Sequence, residues 1–249
     1  MSSAAPGATP AEWGRTEIQA AESAQMHASG AGRPAFVHSR RDGHGRTPRP
    51  WSSPAGTSPE RFLGSCPEIE TQDPLVSRLA ADLREGRDDE QFARAAFEWV
   101  RDEIAHSFDA QDPRVTLTAS QVLREGVGLC FAKSHLAAAL LRAGGVPAGL
   151  CYQRLRGPGH RLVLHGLIAV HLRGRWHRQD PRGNRAGIDA QFSLAGERLA
   201  FALDRDAGDL DYPGVRVTPA PSVVATLSRA TNILEVTLPT SVSNAGARA

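Results

Sequence analysis

Hydrophobic residues change their spacing along the chain, and this change divides it into segments with different predicted structure. Before about Pro59 they are isolated among Ala, Gly, Ser, Pro and Arg, without a sustained period. From residue 74 to residue 143 they recur every three or four positions, which is the period of a helix with one buried face. Beyond Pro147 they alternate or form short runs, as in β-strands. The predicted organisation is therefore a disordered tail with at most a short helix near 12–26, one domain and a frayed end, at residues 1–60, 61–240 and 241–249.

Capping residues mark where the predicted helices begin. Asp73 before Pro74 predicts a helix whose Leu75, Leu79 and Leu83 share a face. Two further helices are predicted to open with a capping box, formed by Asp88 with Gln91 and by Thr118 with Gln121. The first of these two helices has a predicted buried face made of Phe92, Ala96, Trp99, Val100 and Ile104. A final helix is predicted from about Ser222, taken as its N-cap, to Ala230.

The stretch GVGLCFAKSHLAAALLRAGGVP, residues 126–147, predicts a helix with Cys130 in its first turn. Leu136 and Leu140 lie on its predicted buried face, and Gly144 ends it. Unpaired N–H groups and the positive end of the helix dipole favour a thiolate at that position. Cys130 is therefore a candidate nucleophile. The alternative is that Cys130 is only a small core residue, and the local pattern does not separate the two.

Three strands follow, at about 149–155, 162–172 and 175–180, with Gly157, Pro158 and Gly159 predicted as a flexible loop between the first two. Arg173-Gly174 predicts a two-residue hairpin turn, which places Leu172 opposite Arg175. Because side chains alternate along a strand, His165 and Asp180 then share a face as diagonal neighbours. The prediction is a hydrogen bond between these two side chains.

Composition limits the classes of partner and the cellular location. The net charge is +2, and acidic residues are interspersed with the arginines, so the chain lacks a basic patch for nucleic acid. No segment approaches the roughly 20 apolar residues of a membrane span. Three cysteines, Cys66, Cys130 and Cys151, are too few for a disulfide framework. We expect a soluble, cytoplasmic protein whose oligomeric state the sequence leaves open.

Cys130, His165 and Asp180 supply the three roles that thiol-based acyl transfer requires: a nucleophile, a base, and a group that orients the base. The stretches that carry them, GLCFAKSHLAAALLRAGGVPA, HGLIAVHL and RWHRQDPRGN, resemble the three core motifs of the transglutaminase-like superfamily of papain-type cysteine enzymes. The resemblance covers about residues 62–203. It implies an α+β papain-like fold with the cysteine helix packed on an antiparallel sheet.

The resemblance also implies an activity, in which Cys130 attacks an amide carbonyl, His165 activates the thiol and Asp180 orients His165. We therefore expect a cysteine-dependent amide hydrolase or acyl transferase, possessing no cofactor, that acts on a protein, a peptide or a small amide. One departure concerns the residues after the histidine. The family commonly has a small residue and then tryptophan there, whereas Gly166 and Leu167 follow His165.

Three alternatives stand beside this interpretation. A member of the family that has lost turnover would be a binding or scaffold protein. A zinc site drawn from Cys130, His135, Cys151, His160 or His165 lacks any paired ligand spacing, so we predict no metal. Gln121 could serve as an oxyanion donor, but we favour its role in helix capping. Cys151 is predicted to be a core strand residue, and His171 and His177 to be exposed or half-buried.

Overall fold

The computed structural model describes residues 57–156 and 162–242. The predictions for residues 1–56 of the tail, for the loop at Gly157 to Gly159 and for residues 243–249 lie outside these ranges, and so does His160. The described helices are α1 Pro74–Arg84, α2 Asp89–Glu103, α3 Ala119–Glu125, α4 Cys130–Ala143 and α5 Pro221–Arg229. The strands are β1 Ala105–His106, β2 Val127–Gly128, β3 Ala148–Arg156, β4 Leu162–Leu172, β5 Arg175–Gln179 and β6 Leu210–Asp211, and short 3-10 helices span Pro59–Leu63 and Ile233–Glu235. None of the described helices is long and apolar enough to cross a membrane.

The predicted helix starts are confirmed in the first half of the chain. The Asp73 side chain accepts hydrogen bonds from the backbone N–H groups of Leu75 and Val76. Both capping boxes are formed, at the starts of α2 and α3. The predicted start of α5 is wrong, because its N-cap is Ala220 and Pro221 is the first helical residue. Ser222 already lies in the helix, and its hydroxyl donates to the carbonyl of Ser241.

The predicted buried face of α1 needs correction. Its fully buried residues are Val76 and Ala80, while Leu79 and Leu83 are only partly buried against the core. Leu75, predicted to share the buried face, is 44% exposed. The stripe of three leucines is therefore displaced by one position from the face that contacts the domain.

Helix α4 lies at the centre of the domain and is buried on every side, which differs from the predicted single buried face. All residues from Cys130 to Arg142 are buried. Helices α1, α2 and α3 pack against it, and so does the sheet on another side. Its polar residues are therefore enclosed as well, among them Lys133, Ser134 and His135. A helix surrounded in this way fixes the position of its first residue, Cys130.

The sheet is antiparallel, with the strand order β5-β4-β3-β6. The predicted hairpin register is confirmed, since Leu172 pairs with Arg175 and Ala169 with Arg178. Arg173 and Gly174 both have positive φ, at 52° and 74°, as a two-residue turn of this kind requires. Together with the helical layer, this sheet confirms the predicted α+β fold.

Each face of the sheet covers a different hydrophobic cluster. Leu164, Ile168 and Val170 of β4 belong to the main core with α4. Leu167 and Ala169 pack with Trp176 in a second cluster, which also contains Phe62 and Val215. Cys151 lies in this second cluster, which confirms its prediction as a core strand residue.

Three short strands were not predicted from the sequence. Strands β1 and β2 form a parallel pair in which Ala105 is opposite Val127 and His106 is opposite Gly128. Strand β6 pairs with β3 at the far edge of the sheet. Each is two residues long, too short for any periodicity to register. The β1–β2 pair nevertheless matters, because it ends two residues before Cys130.

Candidate active site

Cys130 is the first residue of α4, as predicted, and its side chain is buried against strand β4. The backbone N–H of Gly166 lies 3.5 Å from its sulfur. Leu129, the N-cap residue, provides no side-chain hydrogen bond to the helix start. The thiol therefore lies among unpaired amides of a helix amino terminus, an environment that stabilises negative charge.

Gly166 allows α4 to approach β4 this closely. A Cβ atom added at Gly166 would lie 2.6 Å from Cδ1 of Phe131 and 3.2 Å from the Cα of the same residue. Phe131 is the residue after Cys130, so any side chain at position 166 would press on the helix start. A glycine at position 166, the small residue after the histidine, thus has a steric reason in this chain.

His165 and Asp180 are joined as the hairpin register predicted. Nε2 of His165 lies 2.8 Å from Oδ2 of Asp180, and both side chains are buried. The carboxylate is held in place by backbone donors: Ala200 N–H donates to Oδ2 at 3.0 Å and Arg182 N–H to Oδ1 at 3.2 Å. With Nε2 occupied by Asp180, Nδ1 of the ring is left for Cys130.

The charges of the three groups support one another. Burial alone would lower the pKa of His165, but the carboxylate of Asp180 and the sulfur of Cys130, through charge and hydrogen bonding, raise it to about 10. Burial would raise the pKa of Asp180, and the attraction and hydrogen bond of His165 lower it below 3.8 instead. At neutral pH the ring is therefore an imidazolium between a carboxylate and the sulfur.

An aromatic side chain covers this histidine. The ring of Phe201 contacts that of His165 edge to face, with centroids 5.0 Å apart. Phe201 follows Ala200, whose N–H binds Asp180. The guanidinium of Arg182 lies 5.7 Å from the centroid of the same phenyl ring. The segment after the sheet thus shields the hydrogen bond between His165 and Asp180, a role that its LAFAL sequence did not reveal.

Two further titratable groups lie close to the site. Lys133 is fully buried, and its ammonium donates to the backbone carbonyls of Ile104 and Arg101, the latter at 3.3 Å. Burial and the charge of Arg182 lower the pKa of Lys133 to about 7. His106, on β1, is 8% exposed and also feels the charges of Arg182 and His165. Neither residue stood out in the sequence, because both depend on contacts between distant segments.

The remaining candidates take other roles. The side-chain oxygen of Gln121 accepts hydrogen bonds from the N–H groups of Leu117 and Thr118, which confirms its capping role. His171 is half-buried, as predicted, whereas His177 is buried and the prediction for it is wrong. Within residues 57–156 and 162–242, no three His, Cys, Asp or Glu side chains are arranged to hold a metal ion. His135 instead pairs its Nδ1 with the carbonyl of Leu117 at 2.7 Å.

Residues 77–181 match the family model for the core of the transglutaminase-like superfamily. Similar solved structures include a candidate cysteine protease from Cytophaga hutchinsonii, with 18% identity, a TM-score of 0.41, and coverage of 49% of this chain and 40% of that one. Another is the periplasmic domain of TgpA from Pseudomonas aeruginosa, with 20% identity, a TM-score of 0.38, and coverage of 51% of this chain and 48% of that one.

The matched structures are longer than the shared region, and this chain spans less than half the length of each of the two. No curated protein matches the chain. The family match begins in α1 and ends one residue after Asp180, so it includes Cys130, His165 and Asp180. Residues 77–181 therefore correspond to the core of the transglutaminase-like superfamily.

Proposed function

We propose that the protein is a cysteine-dependent amide hydrolase or acyl transferase that works through a thioester at Cys130. One observation carries the proposal. The buried His165 ring is held by Asp180 at 2.8 Å, and the Asp180 carboxylate together with the Cys130 sulfur raises its pKa to about 10. A histidine that served only packing would gain nothing from a buried carboxylate on one side and a thiol on the other.

The geometry supports the following sequence of proton transfers. His165 holds the proton of the Cys130 thiol, and the thiolate attacks the carbonyl carbon of an amide. When the carbon–nitrogen bond breaks, His165 gives its proton to the leaving amine and a thioester remains. Water or a second amine then resolves the thioester, with His165 accepting the proton of the incoming group. Asp180 keeps the ring oriented and stabilises its cationic form.

A protein, peptide or small amide is the substrate class that fits this chemistry. These proton transfers all use side chains of the chain itself, so the proposed mechanism requires no cofactor. A cytoplasmic location stays a prediction from the sequence, and cell fractionation would test it.

Thiol reactivity tests the proposal without a known substrate. Burial raises the pKa of Cys66, and it raises the pKa of Cys151 to about 12. We expect brief iodoacetamide treatment at pH 7, followed by peptide mapping, to label Cys130 before the other two cysteines. Slower or equal labelling of Cys130 would contradict an activated nucleophile and would support the alternative of a binding protein that has lost turnover.

A library of amide and peptide electrophiles, read by intact mass, would then define the substrate. We expect adducts in the wild type that are absent from Cys130→Ser. Adducts that persist in Cys130→Ser would place the reactive thiol elsewhere and contradict the assignment. Resolution of the adduct by water or by an added amine would separate hydrolysis from acyl transfer.

A further inference from the structure

His106 lies in the strand pair that precedes the cysteine helix. It is paired with Gly128 in the parallel β1–β2 ladder, two residues before Cys130. A Cβ atom built on Gly128 would lie 3.3 Å from the Cβ of Ala132, in the first turn of α4. Paired residues of a ladder send their side chains to the same side, so the His106 ring points in this direction too.

One ring nitrogen of His106 lacks a hydrogen-bond partner among the described residues. Its Nδ1 is buried and has no hydrogen-bond partner among the residues that the structure describes. The nearest carboxylate oxygen belongs to Asp109 and lies 4.0 Å away, beyond hydrogen-bond distance. Asp109 is instead occupied by Arg182, which contacts it with two nitrogens at 2.7 and 2.9 Å. A buried polar atom of this kind normally has a partner, and its absence points to a ligand.

His106 is suited to donate a hydrogen bond across a wide pH range. Burial and the neighbouring charges of Arg182 and Lys133 hold the pKa of its ring well below 6.5. The neutral imidazole has one N–H donor and does not add a positive charge beside the imidazolium of His165. The residue is 8% exposed, so its ring is largely shielded from water.

The first turn of α4 supplies the complementary donors. The first intrahelical hydrogen bond runs from Lys133 N–H to the carbonyl of Leu129. The amides of Cys130, Phe131 and Ala132 therefore precede the helical ladder. An oxygen bound near the Cys130 sulfur would meet this amide group on one side. A second donor is required on the other. The Gln121 side chain is held at the start of α3, where its amide oxygen accepts a hydrogen bond from the N–H of Thr118.

We propose that His106 is a catalytic residue that donates a ring N–H to the oxyanion formed during attack by Cys130. The inference rests on the proposed function. When the thiolate forms its bond to the carbonyl carbon, the π electron pair moves to the oxygen, and that oxygen becomes the acceptor for His106. Collapse of this intermediate re-forms the carbonyl, expels the leaving group with its electron pair and leaves the acyl group on the sulfur.

Two reagents separate this role from the reactivity of the thiol. p-Nitrophenyl acetate acylates a thiolate through a tetrahedral oxyanion and releases p-nitrophenolate. Iodoacetamide alkylates the same thiolate at a saturated carbon, where no oxyanion develops. The ratio of the two rates at Cys130 therefore measures stabilisation of the oxyanion, and the alkylation rate serves as a control for folding and for the thiolate itself.

Three variants complete the test. We expect His106→Phe, which keeps a ring without a donor, to lower the acylation rate about 100-fold while the alkylation rate stays within about threefold of the wild type. His106→Asn, which keeps an N–H near the position of Nδ1, should recover part of the acylation rate. The half-buried His171 lies at the end of β4 that is distant from His165. It provides the matched control His171→Phe, for which both rates should stay unchanged.

Each contrary outcome has a distinct meaning. Acylation of His106→Phe at the wild-type rate would overturn the donor role. A parallel loss of acylation and alkylation would overturn it as well, because His106 would then only support the thiol. A wild-type protein that is alkylated at Cys130 but not acylated would exclude a preformed pair of donors. Failure of wild-type Cys130 to be alkylated would instead overturn the proposed function.

Discussion

At the scale of single residues, the charge of His165 depends on Asp180. Burial opposes the charge on the ring, and the carboxylate 2.8 Å away provides the largest opposing effect. Asp180 in turn depends on two backbone N–H groups, those of Ala200 and Arg182. Removing the carboxylate should therefore make the His165 ring easier to deprotonate.

We expect Asp180→Asn to lower the pKa of His165 from about 10 toward or below the ordinary 6.5, because burial then acts with less opposition. An NMR titration of the ring resonances measures this directly. The exposed pair of Asp189 with Arg198 provides the control Asp189→Asn, which should leave the titration unchanged. A ring that stays protonated at pH 9 in Asp180→Asn would contradict the assignment.

The three side chains should also differ in how much activity their removal costs. Cys130→Ala and His165→Ala should abolish acylation by p-nitrophenyl acetate, because one removes the nucleophile and the other its base. Asp180→Ala should retain a small fraction, since His165 can still adopt the required tautomer part of the time. Wild-type acylation by Asp180→Ala would contradict the role given to the carboxylate.

Gly166→Ala tests the close approach of α4 to β4. The added methyl group would overlap the Phe131 ring and press on its backbone. We expect the free energy of unfolding to fall by about 1–3 kcal/mol and the alkylation of Cys130 to slow, because the helix start must move. Gly196→Ala is the control, since nothing lies within 4 Å of its added Cβ. Urea denaturation and iodoacetamide labelling measure the two effects, and unchanged values for Gly166→Ala would show that the contact is unimportant.

At the scale of elements, local signals identified most of the fold. Capping boxes placed α2 and α3, and the two-residue turn fixed the register that joins His165 to Asp180. The complete burial of α4 was not predictable in this way. Its Lys133 is satisfied by carbonyls 29 and 32 residues away in the chain, and no local pattern contains that information. The partnership of Phe201 with His165 was hidden for the same reason.

The 3-10 helix at Pro59–Leu63 is the first element that the structure describes. Its Phe62 is fully buried and meets the ring of Trp176 with centroids 4.7 Å apart. We expect a chain without residues 1–58 to keep its melting temperature and Cys130 reactivity. Loss of residues 1–63 should cost about 3–5 kcal/mol, the usual cost of truncating a buried phenylalanine. Thermal unfolding of the two chains tests this, and a large loss in the first would show that the preceding segment contributes to the core.

At the scale of the whole molecule, two buried groups have opposite effects on stability as the pH rises from 7 to 9. Folded His165 keeps its proton up to about pH 10, whereas the unfolded residue loses it near 6.5, so its contribution to stability falls with pH. Folded Lys133 loses its proton near pH 7 and the unfolded residue near 10.5, so its contribution rises. The two slopes oppose each other in this window.

We therefore expect the free energy of unfolding of the wild type to change little between pH 7 and pH 9. In His165→Gln the Lys133 effect remains and stability should rise with pH, whereas in Lys133→Met it should fall. Urea denaturation at pH 7, 8 and 9 measures all three slopes, and His171→Gln should keep the wild-type slope. Identical slopes in the two test variants would contradict the opposed titrations.

The burial of Lys133 also limits which lysine amines could react with an acyl group on the protein. Lys133 is the only lysine of the chain, and it is enclosed completely between α4, the end of α2 and the turn after Asp180. A folded copy thus offers no lysine amine to the thioester that we propose for another copy. If an amine resolves the acyl group, the protein can modify lysine-bearing partners without cross-linking itself through lysine.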